Sequence, residues 1–193
     1  MTLELTPRLV VIGTSMGGLH ALSAILSRLG ADFALPIAVV QHRGTDGEAA
    51  MLVNLLQMRC VLPVSEANDK EPLVGGHVYL APPDYHLLVD GNRFALSTEA
   101  RVQHARPSID VLFESAADVY GARTLGVVLT GANADGAAGT RRIRQRGGRV
   151  VAQDPATAEA PQMPAAAIEA GVDQVLPLDE IGRYLNVASV DGR

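Results

Sequence analysis

A serine, a histidine and an aspartate each stand just past a short aliphatic run. Gly13-Thr14-Ser15-Met16-Gly17-Gly18 follows Leu9-Val10-Val11-Ile12. Gln41-His42-Arg43 follows Ile37-Ala38-Val39-Val40. Thr130-Gly131-Ala132-Asn133-Ala134-Asp135-Gly136 follows the run from Leu125 to Leu129. A hydroxyl, an imidazole and a carboxylate are the groups of nucleophilic acyl transfer: the imidazole takes the hydroxyl proton, and the carboxylate orients the imidazole and stabilises its charged form.

Gly13-x-Ser15-x-Gly17 has the form of a nucleophile elbow. There a tight strand-to-helix turn excludes bulky neighbours and projects the serine oxygen into solvent. The helix behind it offers unpaired N–H groups, Met16 and Gly17 among them, to a developing oxyanion. The same residues suit a glycine-rich turn in which Ser15 caps the helix. A dinucleotide loop is disfavoured, because Ser15 replaces its middle glycine and His42 stands where an acidic ribose ligand belongs. A P-loop is disfavoured because no Gly-Lys-Ser/Thr follows. His20, His77, His86 and His104 read as surface or structural histidines; His42 differs because topology sets its strand end beside the serine turn. Asp135 also fits the N-cap of the helix after it. The order Ser, His, Asp is not the Ser, Asp/Glu, His order of α/β-hydrolases.

Elements that could converge these groups are legible in the pattern. Short aliphatic runs alternate with helical stretches, which points to an α/β fold: a doubly wound, mainly parallel sheet flanked by helices. Strands are expected at Leu9–Ile12, Ile37–Val40, Val61–Val64, Leu125–Leu129, Val150–Val151 and Gln174–Leu176. The first helix is expected to carry Leu19, Leu22, Leu26 and Leu29 on one face and to end at Gly30. Further helices are expected over about Gly47–Met58, from Pro107-Ser108 onward with Ile109, Leu112, Phe113 and Ala116 buried, after Asp135, over Pro161–Ala170 and over Leu178–Leu185. Val78–Leu80, Leu87–Val89 and Phe94–Leu96, separated by Pro82-Pro83-Asp84 and Asp90-Gly91-Asn92, read as a small antiparallel hairpin portion. Ligands of open α/β sheets bind beyond the strands' carboxyl ends, where the three candidates lie.

Composition narrows the function classes. The 193 residues are 48% apolar and 19% charged, without Trp and with only 4% aromatics, so the core must be aliphatic. A net charge of −5 argues against nucleic acid as a partner. Cys60 is the single cysteine, which excludes an internal disulfide and cysteine metal motifs and suits a small core residue. The N-terminus has no signal pattern, and no apolar run approaches the roughly 18 residues of a membrane span. A cytoplasmic protein with no membrane insertion is the expectation.

Taken together the motifs resemble the catalytic domain of CheB-type chemotaxis methylesterases. The resemblance rests on Gly13–Gly18, Gln41-His42, Val78–His86, Arg106–Phe113, Gly126–Gly131, Asp135–Gly139, Ala152–Asp154, Met163-Pro164 and Ala167-Ile168, and runs from about residue 8 to 186. It implies the doubly wound fold with its antiparallel portion. It also implies that Ser15, His42 and Asp135 are catalytic, with Met16, Gly17 and Ala132 adjacent to the oxyanion or substrate. The implied reaction is hydrolysis of glutamate γ-methyl esters on chemoreceptor helices, with deamidation of receptor glutamines as a second activity, and needs no metal or organic cofactor. Implied partners are methylated cytoplasmic receptor helices and a separate receiver or regulatory protein. Two positions depart from the pattern: Met16 replaces a common Ser or Thr, and Ala132 replaces a methionine. Members commonly carry an N-terminal receiver domain; here one catalytic domain over 1–193 is expected. The alternatives are a receptor-binding module that has lost catalysis and an esterase acting on another methylated protein.

Overall fold

The structure is a computed structural model that describes residues 8–42 and 49–190. Along the chain it forms β1 (Leu9–Thr14), α1 (Gly18–Leu26), β2 (Ile37–Gln41), α2 (Ala49–Gln57), β3 (Val64–Glu66), β4 (Val78–Leu80), β5 (His86–Asp90), β6 (Arg93–Ser97), α3 (Ile109–Tyr120), β7 (Thr124–Val128), α4 (Ala137–Gln145), β8 (Arg149–Gln153), α5 (Gln162–Gly171), β9 (Gln174–Leu176) and α6 (Leu178–Val190). Seven strands form one parallel sheet in the order β3-β4-β2-β1-β7-β8-β9. Among the described residues no helix is long and apolar enough to cross a membrane.

Every residue of β1 is buried. Val10 and Ile12 join one core cluster, with Leu22, Ile25 and Leu26 of α1 and Ile181 and Leu185 of α6. Leu9 and Val11 join the opposite one, with Ile109, Leu112, Phe113 and Ala116 of α3. A strand covered on both faces has no side for water, so its sequence is a continuous apolar run. From β1 the chain runs to β2, then to the edge strand β3, and comes back to insert β4 between them, before β7 pairs β1 on the other side. That reversal makes β1 the switch point and opens a crevice at the carboxyl ends of β2, β1 and β7.

Four sequence expectations are corrected. Strand β3 begins at Val64, not Val61. Pro63 has no N–H to give a ladder, so pairing starts with its carbonyl, which accepts from Val78 N at 2.9 Å. Val78–Leu80 is a central parallel strand between β2 and β3, outside the hairpin; it is fully buried, which its unbroken apolar sequence reflects. The hairpin is β5–β6 alone, a separate two-stranded sheet against α3 to which Val89 N donates at 3.1 Å through Ser115 Oγ. Helix α1 stops at Leu26 with Ser27 as its C-cap, short of Gly30, whose N–H instead donates to Asn186 Oδ1 of α6 at 3.1 Å. Leu19 is 40% exposed, and Ala21 and Ile25 complete the buried face. The expected start of the second helix, at Gly47, lies outside the described residues, as does Arg43. Cys60 is buried, and that burial pushes its thiol pKa up.

Candidate active site

Three neighbouring strand ends deliver the candidates. β1 runs into Ser15, β2 into His42, and β7 into the segment ending at Asp135. The nucleophile turn is stitched on all sides. Ser15 N donates to Thr130 O at 2.9 Å, and Gly18 N donates to Ser15 O at 2.9 Å. Thr14 Oγ1 donates to Thr130 O, and Thr130 Oγ1 to Met16 O, each at 2.9 Å. Gly17 caps α1 at φ 77°, left-handed backbone that glycine adopts without strain. Ser15 does not cap α1; among the described residues its hydroxyl makes no hydrogen bond and faces an open cleft of about 400 Å³. The N–H groups of Met16 and Gly17 are also unpartnered among the described residues. Ala132 is exposed, and its N–H is unpartnered too.

His42 is held from two sides. Its backbone N–H donates to Thr14 O at 3.0 Å. The Gln41 side-chain amide bridges the two candidate turns, donating to Ser15 O at 2.8 Å and His42 O at 3.0 Å. The imidazole Nε2 lies 2.8 Å from Asp135 Oδ2, with the carboxylate fully buried and the ring 13% exposed. A carboxylate only accepts, so Nε2 carries the proton and Nδ1 is the free base. Asn133 Nδ2 stands 3.4 Å from Nδ1, a donor facing a lone pair. Ser15 and His42 share the cleft, yet no hydrogen bond joins them in this structure. Ser15 is therefore brought to the pair but not engaged with it.

Asp135 has no role in capping α4, whose N-cap is Gly136. It caps α3 instead. Oδ1 accepts from Ser108 Oγ at 2.9 Å and Asp110 N at 3.0 Å, and Oδ2 accepts from Ile109 N at 2.8 Å besides His42. Burial alone would raise this carboxyl. The hydrogen bond from His42, the N–H groups of Asp110 and Ile109, and the imidazole charge outweigh it and hold Asp135 below the ordinary carboxylate range. A carboxylate fixed at four points and ionised is suited to orienting an imidazole.

The cleft wall is the 98–107 segment. Arg106 ties it down through Nη1 to Thr98 O at 2.8 Å and Glu99 O at 3.0 Å, and through Nη2 to Asp84 Oδ1 at 2.9 Å. That Arg106 hydrogen bond holds the Asp84 carboxyl below its usual range, against partial burial and with help from the charges of Arg106 and Arg101. His104 lines this wall. His86 is a satisfied structural histidine: Nδ1 accepts from Ser108 N at 3.2 Å and Nε2 donates to Ala100 O at 3.1 Å. His77 stacks on Tyr79 with ring centroids 4.2 Å apart. His20 borders a second, shallower hollow on the other side of Ser15, with Leu19 and Glu159. Sequence reasoning missed Gln41, Ser108, Asp110 and Asn133 as site residues. Only the position of Ser108 beside a helix start offered any signal.

The CheB methylesterase family model matches residues 10–185. A Leptospira interrogans protein, provisionally named a protein-glutamate methylesterase/protein-glutamine glutaminase, is 48% identical over 176 residues, covering 89% of this chain and 90% of that protein. Protein-glutamate methylesterase/protein-glutamine glutaminase 2 of Anaeromyxobacter dehalogenans is 48% identical over 177 residues, and the chain spans only 52% of its length. The crystal structure of the Thermotoga maritima CheB methylesterase catalytic domain superposes with a TM-score of 0.89 at 36% identity, covering 95% of this chain and 99% of that one. On the motifs, the sheet order and these likenesses, the chain belongs to the CheB methylesterase family.

Proposed function

We propose that the chain is a protein-glutamate methylesterase in which Ser15 is the nucleophile, His42 the base and Asp135 the orienting carboxylate. The observation that carries the residue roles is the 2.8 Å bond from His42 Nε2 to a fully buried Asp135, which leaves Nδ1, faced by the Asn133 amide at 3.4 Å, as the nitrogen available in the cleft that Ser15 and His42 both line. A binding module that had lost catalysis would have no need of a buried, four-point carboxylate aimed at an imidazole.

Reaction begins when Ser15 Oγ attacks the γ-ester carbonyl and passes its proton to His42 Nδ1, with Asn133 giving way. The N–H groups of Met16 and Gly17 receive the oxyanion; one such donor contributes about 10²–10³-fold. Imidazolium forms against Asp135 and then protonates departing methanol. Water, deprotonated by the same Nδ1, attacks the glutamyl-serine ester and releases the carboxylate. An amide substrate would follow the same path with ammonia leaving, which is how the glutaminase activity in the relatives' names would arise here. The substrate is a methylated glutamate on a chemoreceptor's cytoplasmic helix, placing the enzyme in the cytoplasm. Ser15 stands between two hollows, so a helix can lie across it and lower one side chain.

The test is methanol release from methylated receptor. Ser15→Ala should fold as wild type and lose turnover by a factor of about 10³ or more. Near-full turnover would end the assignment.

A further inference from the structure

Of the buried ionisable groups that the mechanism leaves unused, one is hydrogen-bonded through its own backbone to Asp135. Asp110, in the first turn of α3, is 3% exposed and lies beside the Asp135–His42 pair without touching the imidazole. Its Oδ1 accepts from Gly136 N at 2.9 Å and Gly139 N at 2.7 Å, the first turn of α4. Its Oδ2 accepts from Gln103 Nε2 on the cleft wall at 2.9 Å. Its own backbone N–H donates to Asp135 Oδ1 at 3.0 Å.

The two aspartates therefore cap each other's helices. Asp135, just before α4, receives N–H groups of α3; Asp110, inside α3, receives N–H groups of α4. A capping box closes such a ring within one helix; here the ring joins two. The helices can approach this closely because Gly139 has no side chain: a Cβ there would lie 2.4 Å from Phe113 Cβ.

We propose that Asp110 is a positioning residue for the Asp135–His42 pair, fixing the backbone of residue 136 and thereby the direction in which Asp135 points. The inference rests on that pair serving Ser15. Without the Oδ1 acceptor, the α4 N-terminus loses two anchors, one and four residues from Asp135, and the carboxylate is no longer held against the imidazole. Gln103 extends the same anchoring to the cleft wall.

The test compares the full chain with Asp110→Ala, Asp110→Asn and Thr124→Ala. Asparagine keeps an Oδ1 acceptor, and Gln103 can turn its amide to meet the new Nδ2. Thr124→Ala removes a buried 3.1 Å bond to Ala116 O at the far end of α3 and serves as a control for lost stability. Asp110→Ala should lower kcat about 10- to 100-fold with KM unchanged, the cost of misaligned groups. Asp110→Asn should restore kcat to within a few-fold of wild type, and Thr124→Ala should keep it. In proton NMR, the downfield signal of His42 Nε2–H should persist in wild type and Asp110→Asn and disappear in Asp110→Ala. If the alanine chain does not fold, Asp110→Ser, too short to span both N–H groups, takes its place with the same readings. Wild-type kcat in Asp110→Ala, or an asparagine variant as slow as the alanine one, overturns the proposal. Should wild type fail to hydrolyse methylated receptor, the functional reading falls, while the Nε2–H signal still decides the role of Asp110.

Discussion

At the scale of single residues, Ser15, His42 and Asp135 could be picked out because the first two directly follow strands and the third lies in the segment leading out of one, and strand ends converge by topology alone. Gln41, Asn133 and Asp110 could not. Their roles depend on where a side-chain amide or carboxyl reaches, and nothing in residue type or spacing encodes that. The N-cap reading of Asp135 was right in kind and wrong in partner, since the capped helix, α3, precedes it in the chain by about the length of β7 and its approach. Gln41 carries the clearest consequence at this scale. Its amide holds the carbonyls of both Ser15 and His42, so Gln41→Ala should lower the rate of ester hydrolysis roughly 10- to 100-fold by letting the two turns drift apart. Steady-state kinetics alongside a melting curve would check this; an unchanged rate would show that the turns hold themselves.

At the scale of elements, α3 and α4 meet through two carboxylates whose protonation is pushed in opposite directions. Burial raises Asp110 to about 6; the N–H groups of Gly139 and Gly136 oppose the rise, and the charges of Asp135 and Glu114 add to it. A carboxyl raised in the folded chain contributes stability that is fully present below its unfolded value, about 3.9, and is lost as pH rises through its folded value. Asp135, lowered, behaves the other way: its contribution is present above the unfolded value and lost as pH falls through the folded one. Asp110→Asn removes only the first dependence. Relative to wild type it should gain stability between about pH 4 and about pH 7, by at most about 3 kcal/mol, as denaturant unfolding at the two pH values would show. A difference that stays constant with pH would mean that Asp110 titrates in the folded chain as it does in the unfolded one. Among the elements, β4 was the one misassigned. A three-residue aliphatic strand reads alike whether it is central and parallel or part of a hairpin, and only pairing with β2 and β3 separates the two.

At the scale of the whole molecule, the doubly wound plan was legible because β1 and β2 hold unbroken aliphatic runs and β7 one interrupted only by Gly126, each followed by glycine or polar residues. The strand order was not written in any one run. It follows from which helices cover which face, α1 and α6 on one side and α3 on the other. The reversal at β1 places the serine turn between the histidine and aspartate ends, so that one crevice holds an alcohol, a base and a carboxylate drawn from positions 15, 42 and 135. The most direct test of that convergence is covalent capture. The folded chain, treated with a serine-directed fluorophosphonate and digested, should carry one adduct, on the peptide containing Ser15, and His42→Ala should slow its formation about 10²-fold or more. An adduct on another serine, or labelling of Ser15 at an undiminished rate in His42→Ala, would contradict the account.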